Sequence, residues 1–278
     1  MFMKKIIILT GSELRHVFFR KFIALSDDIK IINSYCEKPE KDSQTTVSTQ
    51  NNYVLRTKHF INREQSEKDF FELFIDNVSD NSRPIFLLKG DINSSSYIEA
   101  IIKAKPDLLV AYGCSIIKEP LVSAFKGRVL NIHLGLSPYY RGSGTNYWPL
   151  VNGEPEYVGA TFMHLDSGID TGEIIHQTRP RIIWGDTPAQ IGNRLIADMA
   201  FACREIIRHF DVLKRMPPPP KPAKELVYKK KDFSEASVEI LYDNFASGLV
   251  EKYLFEKKIL CDKVPIICNP AITNKESL

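Results

Sequence analysis

Residues 4–36 predict the fold class, and their sequence is KKIIILTGSELRHVFFRKFIALSDDIKIINSYC. A short β-branched run at 4–10 predicts a buried strand, and IKIINSYC at 29–36 predicts a second one. The segment between them is apolar at spacings of three and four residues, which predicts a helix with one buried face. Those apolar residues are Leu14, Val17, Phe18, Phe22 and Leu25. Such a strand–helix–strand start favours a parallel sheet that is covered by helices on both faces.

The same alternation of apolar runs and helical periods continues to residue 133. Residues 37–58 are polar and without period, and they predict a mobile loop. Further strands are predicted at 84–90, 108–113 and 128–133, and further helices at 62–79, at 94–105 and within 118–127. We therefore expect an α/β fold with a mostly parallel, twisted, Rossmann-like sheet and helices on both faces.

The second half of the chain departs from this pattern. Residues 157–166 and 172–183 predict two long strands joined by a turn, which favours an antiparallel hairpin on the edge of the sheet. A helix is predicted over 187–210, and the run MPPPPKP at 216–222 predicts an extended linker, after which one helix at most is expected. The expected organisation is a main domain at 1–212, a linker at 213–223 and a small C-terminal extension at 224–278.

Composition narrows the class of protein. The net charge of +3 is too small to argue for a nucleic-acid partner. The cysteines, at 36, 114, 203, 261 and 268, are odd in number and show no C-x-x-C spacing, which argues against a disulfide framework or a zinc site. No apolar stretch is long enough to predict a transmembrane helix. We expect a cytoplasmic protein without a bound metal.

Two polar residues, Asn131 and His133, stand at the carboxyl end of the predicted strand RVLNIH. Ligands bind at this end of the strands in a parallel α/β sheet, and residues two apart on a strand point the same way. A side-chain amide can donate to an oxyanion, and an imidazole can accept and return a proton. The alternative is a capped strand end with a hydrogen-bonded histidine. From this pair alone both interpretations stay open.

A carboxylate to complete such a group is present in HLDSGIDTG, residues 164–172, which offers Asp166 and Asp170 between glycines. Glycine lets the backbone approach a ligand closely or adopt a positive φ. The alternative is a hairpin turn, in which Asp and Gly are the usual residues.

NIHLGLSPYYRG at 131–142, followed by DSGIDTG at 166–172, resembles the tetrahydrofolate-dependent formyltransferase family. The continuation YYRGSGTNYW is most similar to the amino-sugar N-formyltransferases of that family. The resemblance implies N10-formyltetrahydrofolate as co-substrate, a primary amine as acceptor and a role in surface-glycan biosynthesis. Leu134 and Gly135 stand where the family commonly has Pro-Ser, which leaves the acceptor pocket open.

By position, Asn131, His133 and Asp170 match the catalytic triad of the family. The resemblance implies that Asn131 and protonated His133 stabilise the oxyanion formed when the amine attacks the formyl carbon. Asp170 would orient the imidazole or a water and help to remove the amine proton.

The resemblance also implies where the co-substrate and the acceptor bind. The folate candidates are Ser115, Ile116, Ile117 and Val122, with His164, Asp166 and Gly168 closing the other side. Their apolar members, Val122 above all, are alternatively core residues. The acceptor candidates are Arg15, Tyr139, Tyr140, Arg141, Asn146 and Tyr147, although residues 11–16 are equally typical of a simple helix start.

The short tail favours a nucleotide-linked amino sugar as acceptor, because the transfer-RNA enzyme of the family carries a full C-terminal domain of strands. Methionyl-tRNA formyltransferase remains the enzymatic alternative. A folate-binding module without turnover and a formyltetrahydrofolate hydrolase are the others. The run Lys229–Lys231 is interpreted as a solvated face or, more sharply, as a transfer-RNA contact. The apolar tail residues predict packing on a second subunit or on the chain's own domain; they are Leu241, Phe245, Leu249 and Leu254.

Overall fold

The computed structural model describes residues 3–38, 54–165, 172–219 and 226–272. Its strands are β1 (Lys4–Gly11), β2 (Ile29–Glu37), β3 (Pro84–Leu87), β4 (Leu108–Tyr112), β5 (Val129–His133), β6 (Tyr140–Gly142), β7 (Ala160–His164), β8 (Ile174–Thr178) and β9 (Leu226–Tyr228). Its helices are α1 (Leu14–Ala24), α2 (Val54–Asn77), α3 (Ser95–Ala104), α4 (Leu121–Ala124), α5 (Trp148–Val151), α6 (Pro188–Arg208), α7 (Glu235–Ala246) and α8 (Leu249–Lys263). Of the helices described, none has the length and apolarity to cross a membrane.

Seven strands form one sheet in the order β3-β2-β1-β4-β5-β7-β8. The first five along the chain, β1 to β5, pair in parallel, which confirms the mostly parallel α/β sheet. β7 pairs antiparallel with both β5 and β8, so the predicted hairpin lies on the sheet edge. β1 has β2 and β3 on one side and β4 and β5 on the other. The topological switch point therefore lies between β1 and β4.

Both faces of the sheet are apolar and covered. On β1, Ile6 and Ile8 belong to one hydrophobic cluster with α1 and α6, whereas Ile7 and Leu9 belong to a second with α3 and α4. This division follows from the two-residue side-chain period of a strand. Each buried Ile or Leu contributes roughly 1.5–3 kcal/mol relative to an exposed one.

Helix α2 begins at Val54, eight residues before the predicted start at 62. Its first turn is capped from far along the chain, because the backbone N–H groups of Leu55 and Arg56 donate to the Glu235 carboxylate at the start of α7. A carboxylate there satisfies amides that lack a partner within the helix. The rest of the loop predicted at 37–58, residues 39–53, lies outside the described residues.

The tail contains two helices where one at most was expected. Gly248 has a φ of 84° and separates α7 from α8, which is a left-handed backbone that glycine adopts readily. The predicted apolar tail residues pack on the chain's own core: Leu241 is buried in it, and Phe245, Leu249 and Leu254 pack against it. These contacts are the ones expected if the tail packs on the chain's own domain, which is the second of the two alternatives predicted from the sequence.

A segment after α8 lies along the free edge of β8. The Gln177 N–H donates to the Ile267 carbonyl at 2.7 Å, and the Asn269 N–H donates to His176 Nδ1 at 3.1 Å. Asn269 is itself buried and donates through its amide to the Ile175 carbonyl at 3.2 Å. The exposed donors and acceptors of an edge strand invite pairing with other chains, so this cover protects the sheet.

This cover is expected to weaken in acid. Burial lowers the pKa of His176 from 6.5 to about 4, and its Nδ1 accepts a hydrogen bond that protonation would break. Between those two values the unfolded chain binds more protons than the folded one, so stability falls as the pH is lowered through this window. From about pH 7.5 to about pH 5 this residue should account for a loss of about 2 kcal/mol. Urea unfolding at the two pH values measures it.

The matched variant for that experiment is His176→Gln, which retains an acceptor but does not titrate. Its free energy of unfolding should fall by about 2 kcal/mol less than that of the wild type over the same pH change. Equal losses in the two proteins would contradict the role of His176.

Candidate active site

A cavity of about 640 Å³ opens at the carboxyl ends of β1, β4 and β5, at the topological switch point of the sheet. This is where open α/β sheets bind ligands, because the loops that leave neighbouring strands diverge there. The cavity brings together several residues singled out from the sequence, namely Arg15, Ser115, Ile116, Ile117, Val122, Asn131 and His133.

Asn131 and His133 reach this cavity because of the period of β5. Leu130 and Ile132 alternate with them and are buried in the core on the opposite face of the sheet. Asn131 is paired across the sheet with Ala111 of β4, whose small side chain leaves room beside the amide. The strand thus places one amide and one imidazole together on the cavity wall.

The turn after β5 is shaped around the His133 ring. A Cβ atom at Gly135 would lie 2.7 Å from His133 Nε2 and 2.7 Å from Thr145 Cβ, closer than real Cβ contacts. Thr145 is buried and donates its hydroxyl hydrogen to the Leu134 carbonyl. The Leu134–Gly135 departure noted in the sequence thus has a structural consequence, because only glycine lets the ring lie against this backbone.

The loop after β4 is fixed by two side chains that sequence reasoning missed. The Glu37 carboxylate accepts from the backbone N–H of Ser115 at 2.6 Å and of Gly90 at 2.8 Å. Asn93 donates to the Ile116 carbonyl at 3.0 Å and accepts from the Lys118 N–H at 2.9 Å. Glu37 is the last residue of β2, and Asn93 ends a short 3-10 helix that follows β3; neither position carries a sequence signal that marks it.

The fixed loop leaves an apolar wall. Ile116 is exposed, Ile117 is buried and Val122 is half-buried against the second core cluster, and all three line the cavity. A concave, apolar surface with a few backbone polar groups is the usual setting for a flat heterocycle.

Charged side chains form a network at the start of α1. Arg15 donates to Glu67 and to Glu13, each at 2.7 Å, and His16 Nδ1 lies 3.1 Å from the Glu13 carboxylate. Burial alone would raise the pKa of Glu13, but the His16 hydrogen bond and the Arg15 charge lower it to about 2. Arg15 thus lines the cavity with its charge already matched by two carboxylates.

The His16 ring occupies space left by two glycines. A Cβ at Gly11 would lie 2.6 Å from the ring, and one at Gly113 would also overlap it. Burial lowers the pKa of His16 more than the Glu13 hydrogen bond raises it, so the ring is neutral near pH 7. These contacts pack the start of α1 onto the ends of β1 and β4, and they fit the simple helix start considered for residues 11–16.

The other acceptor candidates stand beside the cavity, whose described lining includes Gly142 and Thr145 from the same segment. Tyr140 is buried and donates to Glu154, and its ring stacks on Tyr228 with centroids 6.1 Å apart. Asn146 accepts from the Gly159 N–H at 2.9 Å. These contacts hold the segment to the domain.

Three further candidates of this segment also contact protein groups. The Tyr147 hydroxyl lies 2.9 Å from the Ser237 hydroxyl of α7, and the Tyr139 ring meets Tyr157 edge-on at 5.2 Å. Arg141 is half-buried in β6 and paired with Val227 of β9. An acceptor role for any of them remains a prediction.

Of the folate candidates within residues 164–170, the structure describes His164 alone. His164 lies on β7 with its ring 5.8 Å from Phe210, whereas the next residue, Leu165, lines the cavity. Burial lowers the pKa of His164. Asp166, Gly168 and Asp170 lie outside the described residues, so the carboxylate of the predicted triad remains a prediction.

Comparison with known sequences shows the family of the chain. Residues 5–200 match the sequence profile of a family described as formyl transferase. The chain is 38% identical over 111 residues to the methionyl-tRNA formyltransferase of Desulforamulus reducens, an alignment that covers 39% of this chain and 34% of that protein. It is 30% identical over 119 residues to the enzyme of the same name from Agathobacter rectalis, covering 42% and 38%. The chain thus spans about a third of the length of these curated relatives.

Two solved structures share the fold. A sugar N-formyltransferase from Shewanella sp. FDAARGOS_354 superposes with a TM-score of 0.54 at 16% identity, covering 86% of each chain. A phosphoribosylglycinamide formyltransferase from Anaplasma phagocytophilum superposes with a TM-score of 0.51 at 15% identity, covering 82% of this chain and 98% of the other. At such identities the likeness confirms the α/β architecture alone.

Proposed function

We propose that the chain, which belongs to the formyl transferase family, moves a formyl group from N10-formyltetrahydrofolate to the primary amine of a nucleotide-linked amino sugar. The observation that carries this proposal is the juxtaposition of Asn131 and His133 on the wall of the switch-point cavity, facing a preformed apolar loop. Formation of the new bond from the amine to the formyl carbon breaks the bond from that carbon to the folate nitrogen.

The cavity fits the co-substrate in size and in chemistry. Its volume of about 640 Å³ lies within the range of small-molecule sites. The apolar lining of Ile116, Ile117 and Val122 suits a flat pterin ring, and the loop that bears these residues is already held by Glu37 and Asn93. Binding would then require little ordering of the protein.

Asn131, His133 and Asp170 have different roles in the proposed reaction. Asn131 donates its side-chain N–H to the formyl oxygen as negative charge develops there. His133, held against Gly135, donates a second hydrogen bond in its charged form and passes a proton to the departing folate nitrogen. Asp170 orients His133 and takes part in removal of the amine proton.

The choice of acceptor rests on the segment after the proline run. Residues 226–272 form β9 and two helices that pack on the main domain, which suits a small acceptor better than a large nucleic acid. The lysine run at 229–231 is exposed, as expected of a solvated face. The second candidate, methionyl-tRNA formyltransferase, is favoured by the names of the curated relatives.

The two are separated by incubating the protein with N10-formyltetrahydrofolate and, in parallel, 3- and 4-amino nucleotide sugars or charged initiator transfer RNA. A mass gain of one formyl group on a sugar supports the proposal. Formylation of the transfer RNA alone overturns the sugar assignment. Formate release without an amine identifies a hydrolase, and tight folate binding without any product identifies a binding module.

Asn93 provides a further test of the folate site. Asn93→Ala removes two hydrogen bonds from the loop, each worth about 1 kcal/mol, and should raise KM for the folate about 5- to 30-fold with kcat changed less than about threefold. Asn93→Asp keeps the acceptor for Lys118 and should show a smaller increase. Steady-state kinetics with varied folate measures both, and an unchanged KM in Asn93→Ala would count against this loop as the folate site.

A further inference from the structure

One buried hydroxyl group holds the turn that follows His133. Thr161 of β7 is fully buried and donates its hydroxyl hydrogen to the Gly135 carbonyl at 2.6 Å. The same oxygen accepts from the Ser137 N–H at 3.0 Å and from the Gln177 amide at 3.0 Å. A hydroxyl has one hydrogen to donate and two lone pairs to accept with, so all of its capacity is used.

Gln177 of β8 extends this arrangement to the far edge of the sheet. Its buried side-chain amide also donates to the Ser137 carbonyl at 2.8 Å, and its carbonyl oxygen accepts from the Ile267 N–H at 3.1 Å. Continuous hydrogen bonds therefore run from the C-terminal segment, through Gln177 and Thr161, to Gly135.

The position of Gly135 matters because the His133 ring lies directly on it. A single added carbon at residue 135 would overlap His133 Nε2, so a shift of this backbone by even a few tenths of an ångström moves the surface against which the ring rests. Among the described residues, the hydrogen bonds of Thr161 and Gln177 do not reach the loop at 114–118, which is held separately by Glu37 and Asn93.

We propose that Thr161 and Gln177 are positioning residues: through the Gly135 turn they set the orientation of the His133 imidazole, and the C-terminal segment at Ile267 is part of that support. The catalytic consequence rests on the function proposed above. The structural consequence, the orientation of the ring, does not depend on it.

The variant that isolates the hydroxyl is Thr161→Val, which keeps the shape of the side chain and removes all three hydrogen bonds. Thr161→Ser retains the hydroxyl and is the matched rescue. Ser34→Ala is the control for destabilisation alone, because Ser34 is a buried residue of β2 that donates to the Ser82 carbonyl at 2.8 Å, away from the cavity lining.

Two readouts test the proposal. The first is the ring carbon–proton signal of His133 in the NMR spectrum of protein labelled at its six histidines, assigned as the signal lost in His133→Gln. This signal should shift or broaden in Thr161→Val and stay unchanged in Ser34→Ala. The second is steady-state kinetics, where Thr161→Val should lower kcat about 10- to 100-fold with KM for the folate within about twofold, and Thr161→Ser should recover kcat to within about threefold.

An unmoved His133 signal in folded Thr161→Val overturns the proposal, as does a loss of kcat that is equal in Thr161→Ser. If Thr161→Val does not fold, Gln177→Met removes the bonds of Gln177 while leaving that of Thr161 to Gly135. The His133 signal should then shift in Gln177→Met, and an unmoved signal overturns the proposal. If the wild type transfers formyl groups to no acceptor, the proposed function fails, and the NMR signal still decides whether Thr161 positions the ring.

Discussion

Replacement of Asn131 by alanine is expected to lower kcat about 10²–10³-fold, the usual effect of removing one oxyanion donor. The amide lies on the cavity wall of β5, two residues from His133 and beside the small Ala111. Its interaction strengthens as charge develops on the formyl oxygen, so the loss should appear in kcat more than in KM.

The protein should remain folded in this variant, because Asn131 is only half-buried and its strand neighbours supply the core contacts. Circular dichroism and the thermal midpoint check this. Asn77→Ala is the control, since Asn77 is exposed at the end of α2 and donates to the Leu73 carbonyl of the same helix at 2.8 Å. Turnover of Asn131→Ala within about threefold of wild type would contradict its role as an oxyanion donor.

Gly135→Ala is expected to reduce kcat by about 100-fold and to destabilise the fold by roughly 1–3 kcal/mol. The added methyl carbon would lie 2.7 Å from both His133 Nε2 and Thr145 Cβ. Because Thr145 and the Gly135 carbonyl are both held by hydrogen bonds, the group best able to move is the His133 ring, which then leaves its working position.

Gly192→Ala is the matched control, because a Cβ at this position of α6 would meet, among the described residues, no heavy atom within 4 Å beyond its chain neighbours and the backbone of its own helix. The control should keep full activity and gain roughly 0.5–1 kcal/mol in the free energy of unfolding. Urea unfolding and initial rates measure both variants. Wild-type turnover in Gly135→Ala would show that the ring is not constrained by residue 135.

Much of the fold follows from patterns that are local in the sequence. The strand–helix–strand start, the buried run at 129–133 and the hairpin after it each carry a period that only one kind of element satisfies. The early start of α2 is not local: Glu235 caps it from α7, and no window of sequence around Val54 contains that partner.

The same distinction applies to the site. Asn131 and His133 were predictable because a strand end in a parallel sheet has a known place. Glu37, Asn93 and Thr161 were not, because each acts through backbone groups of a segment remote in sequence. Asparagine, glutamate and threonine bound to backbone have no spacing that marks them.

The acceptor candidates are residues whose type suits ligand binding but whose described contacts lie within the protein. Tyr140, Asn146 and Tyr147 follow Asn131 and His133 closely, yet the structure gives each of them a partner within the chain. Aromatic and amide groups serve packing and recognition equally well, so residue type alone does not distinguish the two uses.

A crystal structure of the protein with a carba analogue of N10-formyltetrahydrofolate, in which carbon replaces the labile nitrogen, would show whether Asn131, His133 and Asp170 meet at the formyl group. We expect the formyl oxygen about 3 Å from the Asn131 amide nitrogen, the His133 ring within hydrogen-bond reach of the same group and the Asp170 carboxylate beside that ring. An analogue bound away from the wall of β5, or bound there with the Asp170 carboxylate far from His133, would contradict this expectation.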